Sequence, residues 1–312
     1  MKVFILYAKE NWITDQLVKE WIENNQSYYT SDINICDIIW IVSDYIVNNL
    51  SLNVLKKKKV ITTIHHITPW KVDDNQKNHF NILNDITDVF HSICEKTTTE
   101  LKKYFTKKII TVPLWHNEEI WKFLNNKEKI RQNFKFNKED FLIGSFQRDT
   151  EGNSISNKKY LPKLEKGPDI FIQVIKLLKE TKYPNLKIIL TGLRRQYLIC
   201  ELDKLNIKYY YFEMCDFDKL NKLYNCLDLY IVSSRVEGGP RAINECALTK
   251  TPLVSTKVGI SDLLCYPKSL FDMNNIKTIL ECETNFDYNY KKAEKYTIKN
   301  YMKIFTNNVF SL

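Results

Sequence analysis

Short apolar runs alternate with amphipathic stretches along the chain. KVFILYA (2–8), DIIWIVS (37–43), KVITTIHH (59–66) and KIITVPL (108–114) read as strands. DQLVKEWIENN (15–25) and TTELKKYF (98–105) have helical spacing. A Lys/Asn-rich segment, 125–140, then interrupts the pattern and reads as a helix end followed by an exposed linker. Beyond it the alternation restarts. FLIGSF (141–146), LKIILTG (186–192), DLYIVSS (228–234) and PLVST (252–256) read as strands. DIFIQVIKLLKET (169–181), DKLNKLYNCL (218–227) and PRAINECAL (240–248) read as helices. This alternation predicts parallel sheets carrying helices. Two such series predict two doubly wound, Rossmann-like domains facing a cleft. The expected bounds are 1–135 for a short first domain and 136–290 for the second. A terminal helix over 291–312 has apolar spacing that suits packing back on the first domain better than a membrane surface.

Composition narrows the picture. The 312 residues are 44% hydrophobic and 27% charged, which is globular. No run approaches the ~20 apolar residues of a membrane span, and Lys9 and Glu10 break the N-terminal run too early for a signal peptide. Eight scattered cysteines without a CxxC pair argue against zinc or disulfide frameworks and fit a cytoplasmic protein. The net charge of +9 attracts phosphates, nucleotides or anionic surfaces and leaves a peripheral membrane contact open. Nucleic acid is not indicated, because no helix joins basic residues to stacking aromatics.

Glycine is the informative residue. All seven glycines lie after residue 143, and Gly144, Gly192, Gly238 and Gly239 fall at or just after expected strands. Ligands of doubly wound sheets bind beyond the carboxyl ends of strands, and glycine admits close backbone approach. The second domain is therefore expected to hold a phosphate-bearing ligand. In SRVEGGPRAINECALTKTPLVS (234–255), Gly238 and Gly239 precede Pro240, a residue suited to a helix start. Glu237 and Glu245 stand either side of that turn, able to touch different parts of one elongated ligand. Exposed glutamates flanking a capped helix would show the same pattern.

The order of GSFQR (144–148), KGPD (166–169), LTG (190–192), LYNCLDLYIVSSRVEGG (223–239) and PLVSTKVG (252–259) resembles the C-terminal domain of retaining family-4 glycosyltransferases, which have the GT-B fold. Glu237 and Glu245 match that family's E-x7-E signature. The resemblance implies transfer of a sugar from a nucleotide-diphosphate-sugar donor, without metal or other cofactor, to an acceptor it does not identify. It implies that Glu245 binds the ribose, that Glu237 with the amides of Gly238 and Gly239 contacts the donor sugar, and that Arg148 and Lys166 hold the diphosphate. His65, in VITTIHH, matches the histidine at the reaction centre, with His66 one position away. The catalytic set so implied is His65, Arg148, Lys166 and Glu237, and Gly144 and Gly192 join the donor site. The first segment, YAKENWITD (7–15), departs from the family in lacking a glycine loop. A GT-B epimerase or phosphorylase, and a non-catalytic sugar-nucleotide or glycan-binding subunit, remain alternatives. Oligomeric state is undetermined.

Three further features complete the reading. Asp216 and Asp218 form a DxD, but ahead of a helix, where Asp caps N–H groups. Asp73 and Asp74 read as a solvated loop. Residues 152–163 read as a polar insertion, a mobile loop over the cleft whose lysines add phosphate contacts.

Overall fold

The computed structural model describes residues 1–10, 13–49, 51–152 and 160–311. Most of the 152–163 insertion and part of the 7–15 segment lie outside these. The chain divides into two compact units, Met1–Trp115 with Lys299–Leu312, and His116–Ile298.

In the first unit, β1 (Val3–Leu6), α1 (Ile13–Asn24), β2 (Ile38–Ile41), α2 (Leu52–Leu55), β3 (Lys59–Ile64), α3 (Asp74–Ile86), β4 (Val89–Ser92), α4 (Glu95–Leu101) and β5 (Lys108–Thr111) follow in order. The strands form one parallel sheet, β1-β2-β3-β4-β5. Side-chain alternation gives β2 two different faces. Ile39 and Ile41 pack with Phe80 and Leu83 of α3. Trp40 points the other way, edge-on to Trp21 of α1.

β4 and α3 do not stand out in the apolar pattern, because VFHS carries a histidine and DNQKNHFNILNDI is mostly polar. His91 is nevertheless fully buried, since its partners are built in. Trp40 Nε1 donates to Thr63 Oγ1 at 2.8 Å, and Thr63 Oγ1 lies 2.9 Å from His91 Nδ1. His91 Nε2 lies 2.7 Å from the Val112 carbonyl. A carbonyl only accepts, so Nε2 carries the proton and Nδ1 accepts from Thr63. Asp73, expected in a solvated loop, caps α3 instead by accepting from Gln76 N at 2.8 Å.

The second unit holds α5 (Lys127–Asn133), β6 (Phe141–Ser145), α6 (Pro168–Thr181), β7 (Leu186–Thr191), α7 (Gln196–Lys204), β8 (Tyr209–Phe212), α8 (Phe217–Cys226), β9 (Leu229–Val232), α9 (Arg241–Leu248), β10 (Leu253–Thr256), α10 (Ser261–Leu264), β11 (Leu270–Phe271) and α11 (Phe286–Ala293). Its strand order is β11-β10-β9-β6-β7-β8, with parallel pairing throughout. The order reverses between β6 and β9. Their carboxyl ends therefore diverge into a crevice, the ligand position of open parallel sheets.

The expected boundary at 135/136 is corrected to Trp115/His116. The segment 125–140 is not an exposed linker. Asp228, ahead of β9, accepts from Lys127 at 2.8 Å and Arg131 at 2.5 Å, and Asn225 Oδ1 accepts from Leu124 N at 2.7 Å. These polar side chains dock α5 on the second unit. After α11 the chain ends in α12 (Ile298–Phe310), which buries Phe305 and Phe310 against Trp40 of the first unit's sheet. Thr306 Oγ1 there accepts from Trp21 Nε1 at 3.0 Å.

Burial lowers His91 from its ordinary value to about 4. Its unfolded value is near 6.5, so the unfolded state binds the extra proton between those limits. Stability should be complete above pH 6.5 and fall as pH drops towards 4, by on the order of 3 kcal/mol. Thermal melts from pH 7 to pH 4 test this. His91→Gln should flatten the pH dependence in that window, and an unchanged slope would show that another group controls it.

Candidate active site

Three backbone segments interlock at the carboxyl ends of β6 and β9. Residues 164–167 form a short 3-10 turn that delivers Gly167 to the start of α6. Gly167 has φ +62°, and a Cβ there would lie 1.9 Å from the Ser233 carbonyl oxygen, so only glycine fits. The Glu165 carbonyl accepts from Arg235 N at 2.9 Å and Val236 N at 3.1 Å, binding the loop after β9 to the same turn. From below, Gly259 at φ +52° leaves room for the backbone of the glutamate loop. A Cβ on it would sit 2.4 Å from the Gly238 oxygen and 2.8 Å from the Glu237 oxygen. Thr256 Oγ1 adds a 2.5 Å bond to the Ser234 carbonyl.

This interlock brings Lys166 and Glu237 together. Lys166 Nζ forms an ion pair with Glu237 Oε2, and Ser234 Oγ donates to Glu237 Oε1. Gln147 Nε2, just beyond β6, donates to the Lys166 carbonyl at 3.0 Å. Arg235 is held aside in a bidentate pair with Asp169, at 2.7 and 2.6 Å, a strong geometry for this pair of groups.

Glu245 lies buried on α9, where its Oε2 accepts from Tyr224 Oη at 2.6 Å. Burial raises its pKa, while the Arg241 charge and the Tyr224 bond pull it back down. Phe146 packs edge to face on both Tyr224 and Tyr230 beside it. Tyr230 Oη accepts from Phe146 N at 2.8 Å, turning the chain after β6 into the crevice.

Arg148 and Lys166 share no side-chain hydrogen-bond partner among the described residues. Its guanidinium donates to the carbonyls of Thr150, at 2.9 Å, and Gly152, at 3.1 Å. Gly144 lies within β6, where a Cβ would fall 2.4 Å from Leu227 Cδ1 and 2.9 Å from Tyr230 Cδ2. Its identity answers to packing between strand and helix. Gly192 follows β7, and its carbonyl accepts from Tyr211 Oη at 3.0 Å. His65 belongs to the first unit, at the end of β3. Its Nε2 donates to the Val42 carbonyl at 2.9 Å, and burial lowers its pKa. His66 faces elsewhere, into a cleft of about 180 Å3 lined by Asp44, Lys71, Gln76 and Phe80. Asp216 caps α8 by accepting from Lys219 N at 2.7 Å, and Asp218 pairs with Lys222. Among the described residues, no three His, Cys, Asp or Glu side chains are grouped to hold a metal ion.

Two site-forming features escape the sequence pattern. Gly259 stands in the sequence only as the end of PLVSTKVG, although glycine scarcity is a signal that could have marked it. The buried pair Asp149–Arg195 has no such signal. Arg195 Nε donates to Asp149 Oδ2 at 2.5 Å, and its other nitrogens reach the Thr191 carbonyl at 2.8 Å and Ser145 Oγ at 3.1 Å. The pair fixes the loop that carries Arg148.

The model of the family described as glycosyl transferases group 1 matches residues 126–281, half of the chain and the part that builds this crevice. The chain belongs to that family. This group 1 glycosyltransferase has the GT-B fold, two units each built on a parallel sheet. It is similar to HepE of Anabaena in complex with UDP-glucose, at TM-score 0.73 and 14% identity over 99% of both chains. It is also similar to sucrose-phosphate synthase of Thermosynechococcus elongatus, at TM-score 0.68 and 13% identity over 98% of this chain and 81% of that one. WaaG, a glycosyltransferase involved in lipopolysaccharide biosynthesis, matches over 100% of both chains at TM-score 0.64 and 11% identity. No curated protein matches the sequence significantly. Among the described residues no helix is long and apolar enough to cross a membrane.

The interlock makes a stability prediction for this transferase. Gly167→Ala should cost more than about 3 kcal/mol, because left-handed strain adds to a backbone collision. Gly152 has φ +67°, but a Cβ there would meet nothing within 4 Å, so Gly152→Ala should cost only about 1 kcal/mol. Denaturant melts of both variants measure the difference, and equal losses would refute the close approach at Gly167.

Proposed function

We propose that this enzyme is a retaining, family-4 glycosyltransferase that takes its sugar from a nucleotide-diphosphate-sugar and needs no metal. The observation that supports this best is the Lys166–Glu237 ion pair at the β6/β9 crevice, with Glu245 buried eight residues further on. Glu245 offers a carboxylate to the ribose hydroxyls. Glu237, with the amides of Gly238 and Gly239, faces the sugar, and Lys166 and Arg148 take the diphosphate. Gly192 borders that site, and Gly144 lets β6 pack beneath it. The complexes of HepE with UDP-glucose and with UDP favour the same ligand class.

The chemistry follows from charge. As the bond from the anomeric carbon to the diphosphate breaks, its electron pair stays on the phosphate oxygen. Fixed cations offset that charge without a metal ion. Lys166 now faces a carboxylate, so an arriving phosphate competes with Glu237 for it. The acceptor hydroxyl then attacks the same face, and its proton passes to the departing phosphate. His65 remains the first unit's candidate for contact with the sugar, through Nδ1, since Nε2 is committed to Val42. The acceptor is a hydroxyl-bearing glycan, lipid or protein-linked sugar.

A thermal-shift panel of UDP-, GDP- and ADP-sugars tests the reading. The right donor at 100 times its Kd should stabilise the fold by about 2.7 kcal/mol. Glu245→Gln should weaken nucleoside diphosphate binding by on the order of 1.5–3 kcal/mol, and Lys166→Ala should lower kcat at least ~100-fold. EDTA should leave turnover intact. Activity lost in EDTA and restored by Mn2+ would overturn the metal-free mechanism.

A further inference from the structure

Two arginines follow one another in the loop between β7 and α7, and the structure uses them differently. Arg195 is fully buried on Asp149. Arg194 is half-buried at φ +62°, a left-handed conformation uncommon for a residue with a side chain. That turn aims its carbonyl at the loop after β6, where it accepts from Asp149 N at 3.2 Å and Thr150 N at 3.1 Å. Arg194 is thereby fastened beside the two residues that follow Arg148. Strained backbone held by such bonds is characteristic of functional loops.

Among the described residues, neighbouring cations are matched to carboxylates: Lys163 to Glu165 at 2.6 Å and Glu151 at 3.8 Å, Arg235 to Asp169, Lys166 to Glu237. Arg148 and Arg194 are not. Arg148 meets only carbonyl oxygens, and no hydrogen bond or ion pair engages the Arg194 guanidinium among the described residues. After burial, the Arg194 charge is the largest influence lowering the Arg148 pKa, which places the two cations in each other's field.

We propose that Arg194 is a further donor-binding residue, which joins Arg148 in clasping the phosphates of the nucleotide sugar. The proposal rests on the donor class argued above. Two guanidiniums that repel each other are relieved by an anion between them, and their planar forks suit phosphate oxygens bidentately. The carboxyl end of β7 lies beside β6, so the pair borders the β6/β9 crevice.

The test is titration calorimetry with UDP, GDP and ADP, with the matching nucleosides, and with inorganic pyrophosphate, on wild type, Arg194→Ala and Arg194→Lys. Arg194→Ala should weaken the bound nucleoside diphosphate and pyrophosphate at least tenfold and leave the nucleoside unchanged. Lysine should restore part of the loss. Diphosphate affinity equal to wild type would overturn the proposal, and so would an equal loss for the nucleoside, which marks a merely structural role. A raised KM for the acceptor alone would assign the anion to the acceptor and overturn the donor assignment. If wild type binds none of the three nucleotides, the donor class fails, while pyrophosphate still reads the arginine pair: a tenfold loss in Arg194→Ala keeps it, and no loss removes it.

Discussion

The crevice depends on one contact, Gly167 against the carbonyl of Ser233. No side chain fits between them, so the turn before α6 and the loop after β9 move as one body. Lys166 is one residue from that contact and Glu237 is four residues past Ser233. Their ion pair is therefore assembled by backbone, with little freedom left to the side chains. The bonds from Arg235 N and Val236 N to the Glu165 carbonyl repeat the constraint from the other strand. Gly259 repeats it again from the loop after β10. Opposed charges held this rigidly are preorganised, and such groups need not be reordered as charge develops beside them.

A second constraint is electrostatic. Burial raises the pKa of Asp149, and the Arg195 charge and the amide of Leu198 oppose the rise. Such a pair is weak evidence for net stability, because desolvation consumes much of the attraction, yet removing one partner typically costs about 3–5 kcal/mol. Its value here is positional. It joins the ends of β6 and β7 and the first turn of α7, and it sets the loop from which Arg148 projects. The same loop turns Arg148 onto the carbonyls of Thr150 and Gly152, while Lys166 is turned onto Glu237. In this state neither cation is presented to an anion without first giving up a partner. Lys166 is thus neutralised by Glu237, whereas Arg148 keeps its charge against carbonyl oxygens alone.

The apolar runs revealed most strands and both sheets, because fully buried parallel strands are continuous apolar stretches. They concealed β4, whose His91 is buried among partners contributed by Trp40, Thr63 and Val112. They also misread 125–140, where Lys127 and Arg131 look like solvated charges until Asp228, about a hundred residues away, is placed beside them. The same limit applies to the site. Glu237, Glu245, Lys166 and the glycine pair stand in local patterns, so the sequence alone names them as candidates. Asp149–Arg195 and the support from Gly259 arise only where distant loops meet. Gly144 shows the converse error: a glycine at a strand end suggests ligand approach, whereas Leu227 and Tyr230 occupy the space.

The histidines of the first unit narrow what that unit can contribute. His91 has both nitrogens engaged within the sheet, so it has no lone pair to offer a substrate. His65 donates through Nε2 to Val42, which leaves Nδ1 as its single acceptor, and burial keeps the ring neutral. A neutral imidazole with one lone pair can accept a hydrogen bond from a hydroxyl. Gaining a full proton would charge a ring whose surroundings disfavour charge. His65 is therefore better suited to orienting a hydroxyl than to serving as the general base.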